Sequence, residues 1–131
     1  MKAETVDYLN KARACLADAT QIANLPLPHI AAREAYLAVF HAAEAYIFEH
    51  SGKVAKTHRG VRGEFARLAK SNPGIGRDLT TFLASAYQFK TVADYAVGPA
   101  ATPISVEDAS TALSTAAKFI DTISEVITRT T

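Results

Sequence analysis

The sequence of 131 residues has one cysteine, no tryptophan and almost no excess of either charge. Because Cys15 is alone, the chain can form neither a disulfide with itself nor a zinc site built from cysteines, as is common in a reducing compartment. The 14 basic and 13 acidic residues leave a formal net charge of +1. That balance argues against a general polyanion binder, which would have a basic excess, but it leaves a local basic patch open.

Long apolar runs are missing as well. No stretch reaches the roughly 18 apolar residues that cross a membrane, and the most apolar run, residues 42–48, is interrupted by Glu44, so we predict no membrane span. The first residues turn polar and acidic at once, unlike a signal peptide. With 49% apolar and 21% charged residues, the composition is that of a globular protein. We therefore expect a single domain over residues 1–131, located in the cytoplasm.

The residues that are present favour helices. Alanine is abundant, and strand-like alternation of valine, isoleucine and threonine is rare, which predicts an all-α fold. Breaks at proline, glycine and asparagine divide the chain into five predicted helices. These cover about residues 2–24, 29–50, 59–70, 76–96 and 106–127, with Gly98 and Pro99 in a loop after the fourth helix. The sequence thus predicts an up-and-down helical bundle.

Apolar spacing predicts how three of these helices pack. The apolar residues of the second helix point in almost every direction, which predicts a central helix. The fifth helix begins with a capping-box pattern at Ser105, and we expect its tail, residues 128–131, to fray. Its stripe at spacings of three and four predicts a bundle seam of Val106, Ala109, Leu113, Ala116, Ile120, Ile123 and Ile127. In the first helix the same reasoning predicts an inward stripe of Val6, Leu9, Arg13, Leu16 and Thr20, with Ala12 and Ala19.

The four histidines, His29, His41, His50 and His58, give no sign of a metal site. No two of them are three or four residues apart, so no helical pair can chelate a metal, and we expect neither a metal nor another cofactor. His41 lies in the most apolar helix and is predicted to be a core histidine bonded to a neighbouring polar group. His50 is expected to lie at a helix end, where its charge suits the helix dipole.

The most basic segment, residues 53–67, carries five positive charges opposed only by Glu64. It also contains His58 and Arg59, with Thr57 as a predicted N-cap of the third helix. One interpretation is a loop and helix start that contact phosphate. The other, which we favour, is an ordinary solvated surface. Phe65 is the only aromatic residue in this segment and is predicted to be buried, so the pattern does not indicate a base-stacking surface.

Three segments resemble the small stand-alone HEPN-domain proteins of bacteria and archaea, which are often encoded beside a nucleotidyltransferase. Residues 33–44 resemble the Arg-x-x-Tyr-x-Ala-x-Phe-His helix of that family, beginning at Arg33. Thr-His-Arg-Gly at residues 57–60, followed by Phe65, is similar to its Thr-His-Lys-Gly segment. Ala-Asp-Tyr at residues 93–95 is similar to its Arg-x-x-Ala-Asp-Tyr segment. The order and spacing agree over residues 2–127, nearly the whole chain.

The resemblance implies a helical bundle that commonly dimerises. Its catalytic members are metal-independent ribonucleases with an arginine followed, after four to six residues, by a histidine: the histidine moves a proton and the arginine stabilises the phosphorane charge. This chain lacks that motif, because seven residues separate Arg33 from His41. Lys90 and Asp94 stand at the matching place in the fourth helix. We favour their interpretation as an ion pair at i,i+4 or as a bond that ties this helix to its neighbour.

Two functions follow. The first is a non-catalytic interaction module that binds a nucleotidyltransferase partner, a nucleotide or RNA through Arg33, His41, His58, Arg59, Lys90, Asp94 and Tyr95. The second is a toxin-type ribonuclease of a toxin-antitoxin pair, with a rearranged active site whose candidate catalytic residues are Lys90, Asp94 and His58. We also expect a homodimer, because Tyr46, Tyr87 and Tyr95 are more aromatic residues than one small bundle must hide.

Overall fold

The computed structural model describes residues 1–95 and 103–130. Within these ranges the chain forms five α-helices and no strand, which confirms the predicted all-α class. The predicted end of the fourth helix at residue 96 and the loop at Gly98 and Pro99 lie outside the described residues. The helices are α1 (Ala3–Ile22), α2 (Pro28–Ser51), α3 (His58–Ala69), α4 (Arg77–Tyr95) and α5 (Val106–Thr130). None of them combines the length and apolarity that a membrane crossing requires.

Helix α2 is the centre of the bundle, as the sequence predicted. It contacts each of the other four helices, and seven of its eleven buried residues are alanines. Small side chains let neighbouring helix axes come close together, and α1 makes the most extensive contact with it. Tyr46 is buried among them and its hydroxyl accepts a hydrogen bond from Asn72 Nδ2 at 3.3 Å. One of the three tyrosines that suggested a dimer is therefore used inside the bundle.

The predicted inward stripe of α1 is partly wrong. Val6 is 41% exposed, and Arg13 and Thr20 are exposed as well. The face that α1 buries consists of Thr5, Leu9, Ala12, Cys15 and Ala19. Thr5 takes the inward place beside Val6 because its hydroxyl donates to Glu49 Oε1 at 2.8 Å, so the buried polar group is satisfied. The alanine-rich surface of α2 packs more closely against small side chains of α1 than against a regular stripe of large apolar ones.

The start of α5 confirms the predicted capping box. Ser105 Oγ accepts from the Asp108 backbone N–H at 2.9 Å, and an Asp108 carboxylate oxygen accepts from the Ser105 N–H at 3.2 Å. The prediction that Val106 belongs to the buried seam is wrong, because this side chain is 71% exposed and burial begins at Ala109. Val106 lies in the first turn, at the end of the bundle. Ala116, Ile120, Ile123 and Ile127 are buried as predicted, and Phe119 and Val126 join them.

The end of α5 extends further than the sequence indicated. Residues 128–130 are helical, so the prediction that they fray is wrong, and Thr131 lies outside the described residues. The hydroxyl of Thr128 donates to the Ser124 carbonyl oxygen at 2.8 Å. Arg129 lies 3.9 Å from the Glu125 carboxylate one turn earlier. Both contacts lie within the last turns of α5.

The connection from α2 to α3 sets the position of the candidate site. Gly52 adopts a left-handed conformation with φ 74° and ends α2. Thr57 then caps α3, as predicted, by accepting from the Gly60 backbone N–H at 2.9 Å. The first residue after this cap is His58, and Arg62 follows one turn later on the same face of α3. The cap therefore fixes the direction in which both side chains leave α3.

Candidate functional site

Charged residues of α2 and α4 meet at Asp94. Its Oδ1 accepts a hydrogen bond from Arg33 Nε at 2.7 Å, and its Oδ2 accepts one from Lys90 Nζ at 2.9 Å. Arg33 Nη1 also lies 3.0 Å from Glu34 Oε1. We name Arg33, Glu34, Lys90 and Asp94 the charge cluster. The ion pair at i,i+4 and the bond that ties α4 to its neighbour are thus both present.

The charge cluster is partly screened from solvent. The side chains of Arg33, Lys90 and Asp94 are 29%, 16% and 22% exposed. Hydrogen bonds from Lys90 and then Arg33 hold the pKa of Asp94 below its usual value, and the carboxylate in turn raises the pKa of Lys90. Asp94 is therefore ionised at neutral pH and has no proton to donate.

Aromatic rings surround His58 beside this cluster. Its ring stacks on Phe40 with 4.2 Å between centroids and lies 5.7 Å from Tyr36 and 5.3 Å from Tyr87. The Tyr36 hydroxyl is 2.7 Å from His58 Nδ1. We name Tyr36, Phe40, His58, Arg62 and Tyr87 the aromatic cluster. It joins α2, α3 and α4 in one contact.

The surroundings of His58 favour the neutral imidazole. Burial lowers the pKa of His58, and the positive charges of Lys90 and Arg62 lower it further. Burial raises the pKa of Tyr36 to about 12, so this residue remains a phenol at neutral pH. We assign its hydroxyl as the donor to Nδ1, which leaves the imidazole proton on Nε2.

Arg62 places a cation over the aromatic cluster. Its guanidinium carbon lies 4.4 Å from the centroid of the Tyr87 ring, a cation–π contact. Its Nη1 is buried without a hydrogen-bond partner among the described residues. Lys90 connects the two clusters, because it lies one turn after Tyr87 and one turn before Asp94. On its far side, Lys90 Nζ is 5.4 Å from the Tyr95 ring, which is 71% exposed.

The structure brings together five of the seven residues that the sequence placed in a ligand site: Arg33, His58, Lys90, Asp94 and Tyr95. His41 lies at the edge of this set, because its ring meets Phe40 of the aromatic cluster with 5.4 Å between centroids. Its Nδ1 pairs with Glu44 Oε1 at 2.7 Å, and both residues line a groove of about 440 Å³ with Tyr8 and other residues of α1. Arg59 is exposed and forms no hydrogen bond or ion pair within the described part of the chain. No group of three or more His, Cys, Asp and Glu in that part has the geometry to hold a metal ion.

Sequence reasoning missed the roles of Tyr36, Arg62 and Tyr87. The sequence feature that could have identified each of them is its helical spacing from a candidate site residue. Tyr36 lies three residues after Arg33, Arg62 four after His58, and Tyr87 three before Lys90, so each shares a helix face with a residue that was singled out. That these three faces meet depends on tertiary packing, which spacing along one helix does not contain.

The family model for the HEPN domain matches residues 5–126 of this chain. The match runs from the first turn of α1 almost to the end of α5 and includes both clusters. No curated protein matches the chain closely enough to count as a relative. The match therefore characterises the bundle as a whole.

Proposed function

The chain belongs to the HEPN family, and we propose that it is a non-catalytic interaction module that binds RNA or a nucleotide at the surface formed by the charge cluster and the aromatic cluster. The observation that carries the proposal is the convergence of Arg33, Arg62 and Lys90, one from each of three helices, on that surface. Three cations thereby lie on one surface, although Asp94 and Glu34 now pair with two of them. Cations next to aromatic rings are the usual setting for nucleic-acid phosphates and bases.

On the same surface, the two candidate groups for metal-independent RNA cleavage, Asp94 and His58, are already engaged in other contacts. That reaction needs a side chain that exchanges protons near neutral pH, and such acid–base assistance is typically worth roughly 10²–10⁴-fold in rate. Asp94 is held ionised by Lys90 and Arg33. His58 is stacked on Phe40, and its Nδ1 is paired with a phenol. Both observations favour binding over catalysis.

Binding is tested with a fluorescein-labelled single-stranded RNA and with ATP. We expect Arg62→Ala to weaken binding and to reduce the dependence of log K on log salt by about 0.7 if Arg62 contacts one phosphate of a single strand. Arg67→Ala is the matched control, because Arg67 lies on the same helix but is 65% exposed and paired with Glu64 at 2.7 Å. Equal losses in the two variants, or no binding of either ligand by the unaltered protein, would reject the proposed surface.

One observation supports the second function, a toxin-type ribonuclease with a rearranged site. His58 is neutral beside the cations Lys90 and Arg62, and a base next to a positive charge is the arrangement that such chemistry uses. Purified protein is therefore incubated with tRNA and mixed RNA, alongside His58→Ala and Asp94→Ala. Robust cleavage that either variant abolishes would establish the rearranged site, and cleavage that survives both would indicate a contaminant.

The proposal also includes partners and a place in the cell. The HEPN resemblance supports a nucleotidyltransferase partner and a homodimer. With Tyr46 buried, the surface argument for the dimer rests on other apolar residues: Leu25 and Val106 are 54% and 71% exposed and line one groove between the end of α1 and the start of α5. The single Cys15 suits the reducing cytoplasm, where we place the protein.

A further inference from the structure

We propose that the Asp94 carboxylate occupies a phosphate-binding site formed by Arg33 and Lys90, and that the phosphate of a ligand must displace it. The inference rests on the proposed function, since it identifies the anion site within the same surface. It also changes the role of Asp94, from a ligand-binding residue to a built-in competitor of the ligand.

The geometry at Asp94 is that of a bound anion. Each carboxylate oxygen accepts a hydrogen bond from one cation, Oδ1 from Arg33 Nε at 2.7 Å and Oδ2 from Lys90 Nζ at 2.9 Å. The two cations come from different helices. Two oxygens of one phosphate group are able to take the same two donors, because charge-assisted bonds to carboxylate and phosphate have similar lengths and directions. Asp94 thus marks where an external anion is held.

Two contacts hold Asp94 in the site, and both are made by the cations that a phosphate would bind. Its hydrogen bonds within the described residues are those to Arg33 and Lys90. Rotation of this one side chain would release Lys90 and Arg33 Nε, while Arg33 Nη1 stays paired with Glu34 at 3.0 Å. The exchange replaces two charge-assisted bonds by two of the same kind.

The groups beside the two cations indicate the class of ligand. Tyr95 presents a largely exposed ring 5.4 Å from Lys90 Nζ, which suits the stacking of a nucleic-acid base. On the other side, the Arg62 guanidinium lies 4.4 Å from the centroid of the Tyr87 ring, which adds a third cation beside the site. A phosphate next to a flat aromatic group fits this arrangement. A strand of RNA and a free nucleotide both supply that chemistry.

The test is Asp94→Asn, which keeps the shape of the side chain and removes its charge. We expect affinity for a labelled single-stranded RNA to rise about ten-fold at low salt. The slope of log K against log salt concentration should also become steeper by ~0.7 for each additional phosphate contact. ATP and inorganic pyrophosphate form separate arms: a gain for RNA alone identifies a strand, and an equal gain for ATP identifies a nucleotide. Asp94→Ser is measured in parallel, and thermal melts followed by circular dichroism verify that both variants fold.

The matched control is Asp78→Asn on the same helix. Asp78 forms a more exposed pair with Lys118 at 3.3 Å, so this variant removes one negative charge without freeing Arg33 or Lys90. We expect it to bind like the unaltered protein, and we expect Lys90→Ala combined with Asp94→Asn to lose the gain. Equal gains from Asp78→Asn and Asp94→Asn would overturn the inference, because net charge would then explain both.

The outcomes separate this inference from the proposed function. If folded Asp94→Asn and Asp94→Ser bind no better than the unaltered protein, the competitor role is wrong, while binding that Arg62→Ala weakens still supports the interaction module. If the unaltered protein does not bind and both Asp94 variants do, the competitor role is supported and the proposed function of the unaltered protein is rejected.

Discussion

Replacing Ile120 by alanine tests how α5 packs on the bundle. Ile120 is 1% exposed and lies in the middle of α5 between the buried Phe119 and Ile123, on a helix that contacts α2, α1 and α4. The change removes buried carbon atoms and leaves a cavity, which costs roughly 2–5 kcal/mol in free energy of unfolding. Against a typical total of about 5–15 kcal/mol, we expect a large loss of stability.

The measurement is urea unfolding followed by far-ultraviolet circular dichroism, with the free energy obtained by linear extrapolation. Thr111→Ala is the matched control, since Thr111 lies on the same helix but is exposed and does not line the groove proposed for the dimer. We expect this control to change stability by no more than about 0.5 kcal/mol. A cost below that value for Ile120→Ala, or equal costs for the two variants, would refute the packing of α5 described above.

Three further predictions concern His58, catalysis and assembly. Burial lowers the pKa of His58 in the folded protein, so its contribution to stability is complete above the unfolded pKa of about 6.5 and is lost as pH falls toward the folded pKa. The urea midpoint of His58→Phe should therefore fall less steeply with decreasing pH than that of the unaltered protein, and equal slopes would contradict this. Expression of the chain alone in a bacterium should leave growth and total RNA unaffected, whereas growth arrest with RNA loss would favour the ribonuclease. Sedimentation at tens of micromolar should show a dimer that Leu25→Glu or Val106→Glu dissociates, and a monomeric unaltered protein would end the dimer proposal.

Features encoded by neighbouring residues could be predicted from the sequence. The caps at Thr57 and Ser105 depend on groups three residues away, and the central position of α2 follows from apolar residues on all its faces. The inward face of α1 could not be predicted in the same way. Which of Thr5 and Val6 points inward depends on the small residues of α2 and on Glu49, which lies 44 residues from Thr5 in the chain.

The candidate site was predictable only in part for the same reason. The spacing of four residues between Lys90 and Asp94 is visible in the sequence and predicts their ion pair. The third partner, Arg33, is 61 residues away from Asp94, and nothing in the spacing identifies it. Likewise, His58 stood out as part of a basic segment, but its neutral state results from burial against rings of α2 and α4.

The three segments that resemble the HEPN family are joined to one another in the fold. Arg33 of the first segment bonds Asp94 of the third at 2.7 Å, and Tyr36 of the first bonds His58 of the second at 2.7 Å. These bonds join α2, α3 and α4. While these bonds are in place, Arg33 Nε, Asp94 and His58 Nδ1 are occupied. What the surface offers a ligand is Arg62, the ring of Tyr95 and, once Asp94 is displaced, the two cations that it now binds.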